Sequence, residues 1–161
     1  MVEWRKVSIP LKRLAVGGVL ALAMAALPAS ASLGGDAASI QADQIHMQGT
    51  RTMRAAESYT VHEIQGENGT TVREYISADG KVFAVGWNGP WFPDMKQILG
   101  TYFDQYSRAR QAQPTTRIRR GPVLVNEPGL VVQIGGHVRA FAGRAYDPGL
   151  LPAGVGAESI Q

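Results

Sequence analysis

Residues 71–110, "TVREYISADGKVFAVGWNGPWFPDMKQILGTYFDQYSRAR", decide the fold, because the hydrophobic period changes inside them. Up to Asn88 the run is rich in β-branched and aromatic residues and is interrupted only by Asp79-Gly80. That dipeptide accepts the positive φ that a tight hairpin demands. After Pro93 the apolar side chains fall at Met95, Ile98, Leu99, Tyr102, Phe103, Tyr106 and Ala109. Intervals of three and four residues put them on one face of an α-helix. Pro93 suits the first turn, Asp94 opposes the positive helix end, and Arg108 and Arg110 sit near the negative end. Two strands followed by one amphipathic helix predict a sheet with that helix lying across it.

Working outward, Tyr59–Gln65 ("YTVHEIQ") precedes the turn signal Asn68-Gly69, so residues 59–65, 70–77 and 81–88 read as an antiparallel three-stranded meander. In its third strand alternation assigns Phe83, Val85 and Trp87 to one face, under the helix. Gly86, beside Trp87, points to a close approach by another backbone or side chain. Downstream, Val123-Leu124-Val125 runs into the Glu127-Pro128-Gly129 turn. Leu130–Ile134 and Val138–Ala145 flank Gly135-Gly136, which reads as a hairpin turn. Upstream, Asp36 is placed to cap a helix with Ile40, Ile45 and Met47 on its apolar face, ended by Gly49. The expected architecture is α+β: an antiparallel sheet of four to five strands, meander plus C-terminal hairpin, in the order α-β-β-β-α-β-β. One helix, 94–111, packs across it. The domain is expected over 32–147, followed by a Pro/Gly-rich, surface-hugging or mobile tail over 148–161.

The first 31 residues read as a cleaved signal peptide. Arg5, Lys6, Lys12 and Arg13 form a basic start, Leu14–Leu27 is an uncharged apolar run, Pro28 breaks it, and Ala29-Ser30-Ala31 offers a small-residue cleavage site. The run is short for a bilayer span. The whole chain carries 16 basic and 13 acidic residues, a net charge of +3. Four of the basic residues and Glu3 belong to this segment, leaving twelve of each sign in the remainder. A nucleic-acid binder would keep a basic excess on the folded domain, and none survives. With no cysteine, disulfides, thiol catalysis and a lipidated-cysteine anchor are excluded. The expectation is an exported protein, periplasmic or secreted, with no integral membrane span after cleavage.

The quoted stretch, with "LVVQIGGHVRAFAGRAYDPGLLPAGV" downstream and "SLGG" at 32–35, resembles a family of small exported bacterial proteins known as a domain of unknown function. The likeness runs over nearly all of the chain after residue 31. It implies an exported protein with no assigned activity, so no site residue is carried over from it.

The chemistry-bearing residues form no motif. His46, His62 and His137 show no metal-ligand or metalloprotease spacing. His62 and Glu63 are neighbours on a strand and face opposite ways. Glu63 and Glu74 can face each other across the first hairpin, with Arg73 and Arg139 as surface partners. No G-x-S-x-G or phosphate-binding loop occurs, and Asn68-Gly69-Thr70 is read as a turn rather than a glycosylation site. Arg117, Arg119 and Arg120 form a single basic cluster in a connector. No catalytic residue, metal ligand or cofactor is assigned. The candidate ligand-binding residues are Trp91 and Phe92, held between Pro90 and Pro93. They serve either as a lid over the helix start or as an aromatic platform for a glycan or an extended peptide. The function these features favour is a non-enzymatic periplasmic binding or envelope-assembly accessory protein, partnered by an envelope protein, peptide or glycan. The alternatives are a small hydrolase or transferase using His62, Glu74 and Asp94, and a structural component that self-associates through the Val138–Ala145 strand edge.

Overall fold

The computed structural model describes residues 33–113 and 122–161. The signal segment, the cleavage site, Pro114 and the Arg117–Arg120 cluster lie outside these residues. The described chain runs α1 (Ala37–His46), β1 (Thr50–Ala55), β2 (Tyr59–Gln65), β3 (Thr71–Ser77), β4 (Val82–Gly89), α2 (Met95–Leu99), a 3₁₀ turn (Gly100–Tyr102) and α3 (Phe103–Ala112). After residue 122 come β5 (Val123–Glu127), β6 (Leu130–His137), β7 (Ala140–Tyr146) and a final 3₁₀ turn (Ala157–Ser159).

The fold is α+β with one antiparallel sheet, but the sheet has seven strands in the order β1-β2-β3-β4-β7-β6-β5 rather than four to five. The meander is present within one residue of its expected bounds. Gly69 and Gly80 take the left-handed φ (82° and 80°) that the Asn-Gly and Asp-Gly signals called for. The additional strands are β1 and β5. Strand β1, "TRTMRA", is exposed at every position, so no burial alternation marked it in the sequence. Strand β5 is the Val123-Leu124-Val125 run, paired with β6. The C-terminal hairpin turns at Val138-Arg139 instead of Gly135-Gly136. Both glycines stay in β6, opposite Ala142 and Phe141, and Arg139 takes φ 68°.

The amphipathic segment is not one helix. Asp94 caps α2 by accepting from the N–H groups of Lys96 and Gln97 at 2.9 and 3.3 Å. Gly100, at φ 49° and ψ −120°, then ends it, and the chain restarts through the 3₁₀ turn into α3. A conformation so far from helical is one that glycine tolerates and residues with a Cβ do not. The apolar face nonetheless holds. Ile98 and Leu99 are buried, and Met95, Tyr102, Phe103, Tyr106 and Ala109 pack against the same cluster.

That cluster is the first of two cores, one on each side of the sheet. It unites Leu33, Ile40, Ile64, Val72, Ile76, Val82, Val85, Trp87, Leu130, Val132, Ile134 and Ala145 with the helical segments. The second unites Val61, Tyr75, Phe83, Ala84 and Ile160, with Tyr59, Tyr146, Leu150, Leu151 and Val155 packed around them. Phe83 therefore lies on the opposite face from Val85 and Trp87, contrary to simple alternation. The cause is a β-bulge: Tyr75 pairs with Ala84 but Ile76 pairs with Val82, leaving Phe83 as the extra residue and flipping the phase of β4.

Residues 147–161 lie across the second face. Arg144 Nη1 donates to the carbonyls of Ala157 (2.5 Å) and Ile160 (3.1 Å). The Tyr75 hydroxyl accepts from the Gln161 N–H at 2.9 Å and donates to the Gln161 carbonyl at 3.1 Å. Gly86 meets this strap: a Cβ there would stand 2.3 Å from the Gln161 oxygen. This is the backbone approach that the sequence anticipated. Among the described residues no helix is long and apolar enough to cross a membrane.

Candidate functional site

A cleft of about 460 Å³ opens where three segments meet: the end of α1, the β2–β3 turn, and the corner leading into α2. Each wall has a local cause. Asp36 starts α1 by accepting from the N–H groups of Ala38 and Ser39 at 3.0 and 3.2 Å. This brings Asp43, His46 and Met47 to the cleft along the helix's inner side and last turn. Asn68 Oδ1 accepts from the Thr70 N–H at 2.9 Å, closing the turn that carries Glu67. Thr70 Oγ1 donates to the Trp91 carbonyl at 3.1 Å and ties that turn to the aromatic corner. Phe92, Asp94 and Gln97 complete the lining.

The floor contains a pair of carboxyl groups. Asp43 on α1 and Glu74 on β3 lie near enough for each carboxyl group to act on the other's titration, and Gln97 Nε2 donates to Asp43 Oδ1. Glu74 is 0% exposed, and among the described residues no N–H donates to either of its oxygens. Burial raises its pKa well above the usual carboxylate range, reinforced by the neighbouring Asp43 carboxyl and opposed by Arg51. Burial also raises Asp43, to about 6, against the lowering effects of Glu74 and of the Gln97 hydrogen bond. Two neighbouring carboxylates cannot both ionise cheaply, so Glu74, the more deeply buried of the two, is the member that holds a proton. One member of the pair faces the cleft, the other is sealed beneath it.

The residues named from sequence are scattered over this geometry. Trp91 and Phe92 belong to neither core and are 56% and 44% exposed. Phe92 lines the cleft and packs on Phe141 with ring centres 4.8 Å apart. Of the acid–base candidates, Glu74 is buried and Asp94 is engaged as the cap of α2. His62 lies opposite Glu74 on β2, with burial and then Arg51 lowering its pKa. Glu63 and Glu74 do not face each other. Glu63 is paired with Arg73 (Nε to Oε2 2.6 Å) on the opposite face of the sheet, and that ion pair fits the surface role expected for it. Arg139 sits in the β6–β7 turn. Among the described residues no three His, Asp or Glu side chains converge as metal ligands would.

Asp43 is the residue that sequence reasoning undervalued. Its signal was present, since Asp36, Ile40, Asp43 and Met47 follow helical spacing and place a carboxylate beside Ile40 on the inward face. Glu74 carried the matching signal, lying between Val72 and Ile76 on the alternating core face of β3.

A second, shallow concavity of about 570 Å³ lies over β5–β7 and is bordered by Leu124, Ile134, Ala142, Ile160 and Arg144. Arg144 is the charged side chain in it, and its guanidinium is already bonded to Gln133 Oε1 and the strap carbonyls. It offers little chemistry beside the carboxyl-floored cleft.

No curated protein and no solved structure matches this chain. The family model described as "Protein of unknown function (DUF2844)" matches residues 29–160, which bear out the resemblance read from the sequence. The chain belongs to that family.

Proposed function

We propose that this protein is an exported, non-enzymatic binding or envelope-assembly accessory protein of the periplasm, and that its ligand seat is the cleft at the Trp91-Phe92 corner. The observation that carries the reading is an exposed aromatic ring, Phe92, lining a polar-floored cavity, with a second exposed ring, Trp91, next to it in the chain. Exposed aromatics beside a concavity cost apolar surface in water and are returned by a ligand that covers them. The corner is also held ready. Pro90 and Pro93 fix their backbone angles and Thr70 anchors the Trp91 carbonyl, so little ordering entropy is lost on binding. The N-terminal pattern of residues 1–31 supports export.

A photo-crosslinking amino acid placed at Phe92 in the native envelope tests this, with Met53 on the exposed strand β1 as control. The expected result is a discrete adduct from position 92 and none from 53. Equal adducts from both positions, or none from either, would remove the corner from consideration.

The carboxyl pair favours a second reading, a small hydrolase in which Asp43, with its pKa near 6, works as the acid–base group at the cleft. It differs in requiring turnover that disappears in Asp43→Asn while ligand binding persists.

A further inference from the structure

We infer that the cleft at Phe92 is built for an organic cation, an ammonium or guanidinium group, with Asp43 as its counter-ion. The inference rests on the reading of that cleft as the ligand seat. Three lining side chains are carboxylates, Asp43, Glu67 and Asp94, against one histidine, His46, and among the described residues neither lysine nor arginine lines it. Such a concavity concentrates negative potential and attracts a positive ligand.

The hydrogen-bonding inventory agrees. The Gln97 amide is committed to Asp43, and the Asp94 carboxylate is committed to the first turn of α2. At the floor, the Gln97 amide is the one N–H among the described residues that reaches any of the four carboxyl oxygens. Asp43 Oδ2 and both Glu74 oxygens receive no N–H or O–H from any other described residue. Asp43 lines the cavity and is 2% exposed, and its Oδ2 is a buried acceptor to which no described N–H donates. Buried acceptors without donors are costly, and a ligand rich in N–H groups supplies what the protein leaves out. Phe92 at the rim provides a π-face for the same group. A bare divalent metal fits less well, because among the described residues no three ligating side chains converge there.

Binding is then linked to protons. The groups facing the pair are His46 from its own helix, Asp94 and Gln97 from α2, Arg51 from β1 and His62 from β2. A cation in the cleft favours ionised Asp43, so affinity rises as pH passes upward through about 6.

The test uses the chain as exported and titrates it with argininamide, a blocked Gly-Arg-Gly peptide and the same peptide with citrulline. Amide shifts near Asp43, Asn68 and Phe92 are followed at pH 5 and pH 7.5. Both cationic probes are expected to bind, more tightly at pH 7.5, with citrulline at least about tenfold weaker and Asp43→Asn losing a similar factor. Tighter binding of the peptide than of argininamide identifies a chain-borne arginine as the source, and equal binding identifies a free amine. Should Asp43→Asn fail to fold, Glu67→Gln combined with Phe92→Ala, both at exposed positions, is expected to weaken binding several-fold. Citrulline binding as tightly as arginine, or variants binding unchanged, overturns the inference. A neutral ligand seated there in place of the cations overturns it alone and keeps the cleft as the seat. Silence of the cleft toward every probe, with no crosslink from Phe92, overturns both.

Discussion

The two faces of the sheet are closed by different means. One carries Ile64, Val72, Val85 and Trp87 beneath α1–α3, a covering whose side chains recur every three or four residues. The other carries Tyr59, Tyr75 and Phe83, whose rings lie 5.7–6.1 Å apart, beneath a strap with no repeating secondary structure. Helices bring their own backbone hydrogen bonds and need only an apolar stripe. The strap must find donors and acceptors elsewhere, and Arg144 and Tyr75 supply them. The lesson is that a segment without period can complete a core when the sheet beneath offers polar anchors at its edge. The faces are also joined directly: the Tyr102 hydroxyl on the helical side donates to Asp147 Oδ2 at the start of the strap, 2.6 Å away. Burial first, then this bond and the aspartate's charge, raises the Tyr102 pKa to about 12.

If both faces are true cores of one cooperative unit, emptying either should cost alike. Trp87→Ala on the helical side and Phe83→Ala on the strap side are each expected to lose about 3–5 kcal/mol in urea unfolding. A Phe83→Ala cost below about 1 kcal/mol would demote the strap to a surface covering. Trp87→Phe sharpens the contrast, since among the described residues the buried Trp87 Nε1–H has no acceptor. Removing that donor offsets part of the lost volume, and the variant should retain most of the stability.

The helical face was legible because each covering side chain reported its position through spacing, and the break at Gly100 left that spacing nearly in phase. The strap face was not. Leu150, Leu151, Val155 and Ile160 are separated by Pro and Gly at irregular intervals, so their common destination is a tertiary fact. Phe83 was misassigned for a related reason: a one-residue bulge leaves no mark on composition yet reverses the direction of every side chain before it. Ile45, read as part of the apolar face of α1, is 68% exposed, while Asp43 took the inward place beside Ile40. In the site, the aromatic corner was visible as a Pro-bracketed pair, but the carboxyl pair joins α1 to β3 and existed for the reader only once those elements were docked.

The polar floor of the helical face predicts a pH effect on stability. Asp43 and Glu74 both have folded-state pKa values raised above those of the unfolded chain. The folded state therefore binds more protons than the unfolded state above about pH 4. The stability linked to this excess is fully present at lower pH and is lost as pH rises through about 6 and beyond. Glu74→Gln keeps a donor toward Asp43 and removes one titration. Its thermal midpoint should change less between pH 4.5 and pH 7.5 than that of the wild type, by the equivalent of about 1–3 kcal/mol. An unchanged slope would mean that the pair is not the linked group. On the strap side Arg144→Ala removes three charge-assisted bonds, two of them to the strap, and should cost about 1–3 kcal/mol. It should also speed exchange of the Gln161 amide while leaving amides of β3 and β4 protected.

The smallest expected effect on stability comes from the most conspicuous residue of the corner. Trp91 lies four positions after Trp87 but 56% of it is exposed, against 1% for Trp87, because Gly89 and Pro90 turn the chain off the sheet between them. Trp91→Ala should alter unfolding free energy by no more than about 0.5 kcal/mol. Its carbonyl, which Thr70 holds, is untouched by the substitution, so the corner keeps its shape. Loss of ligand or crosslink in a variant that melts with the wild type would then assign Trp91 to recognition rather than packing. A cost near that of Trp87→Ala would instead mean that the ring is covered in solution, and the corner would be a lid joined to the first core.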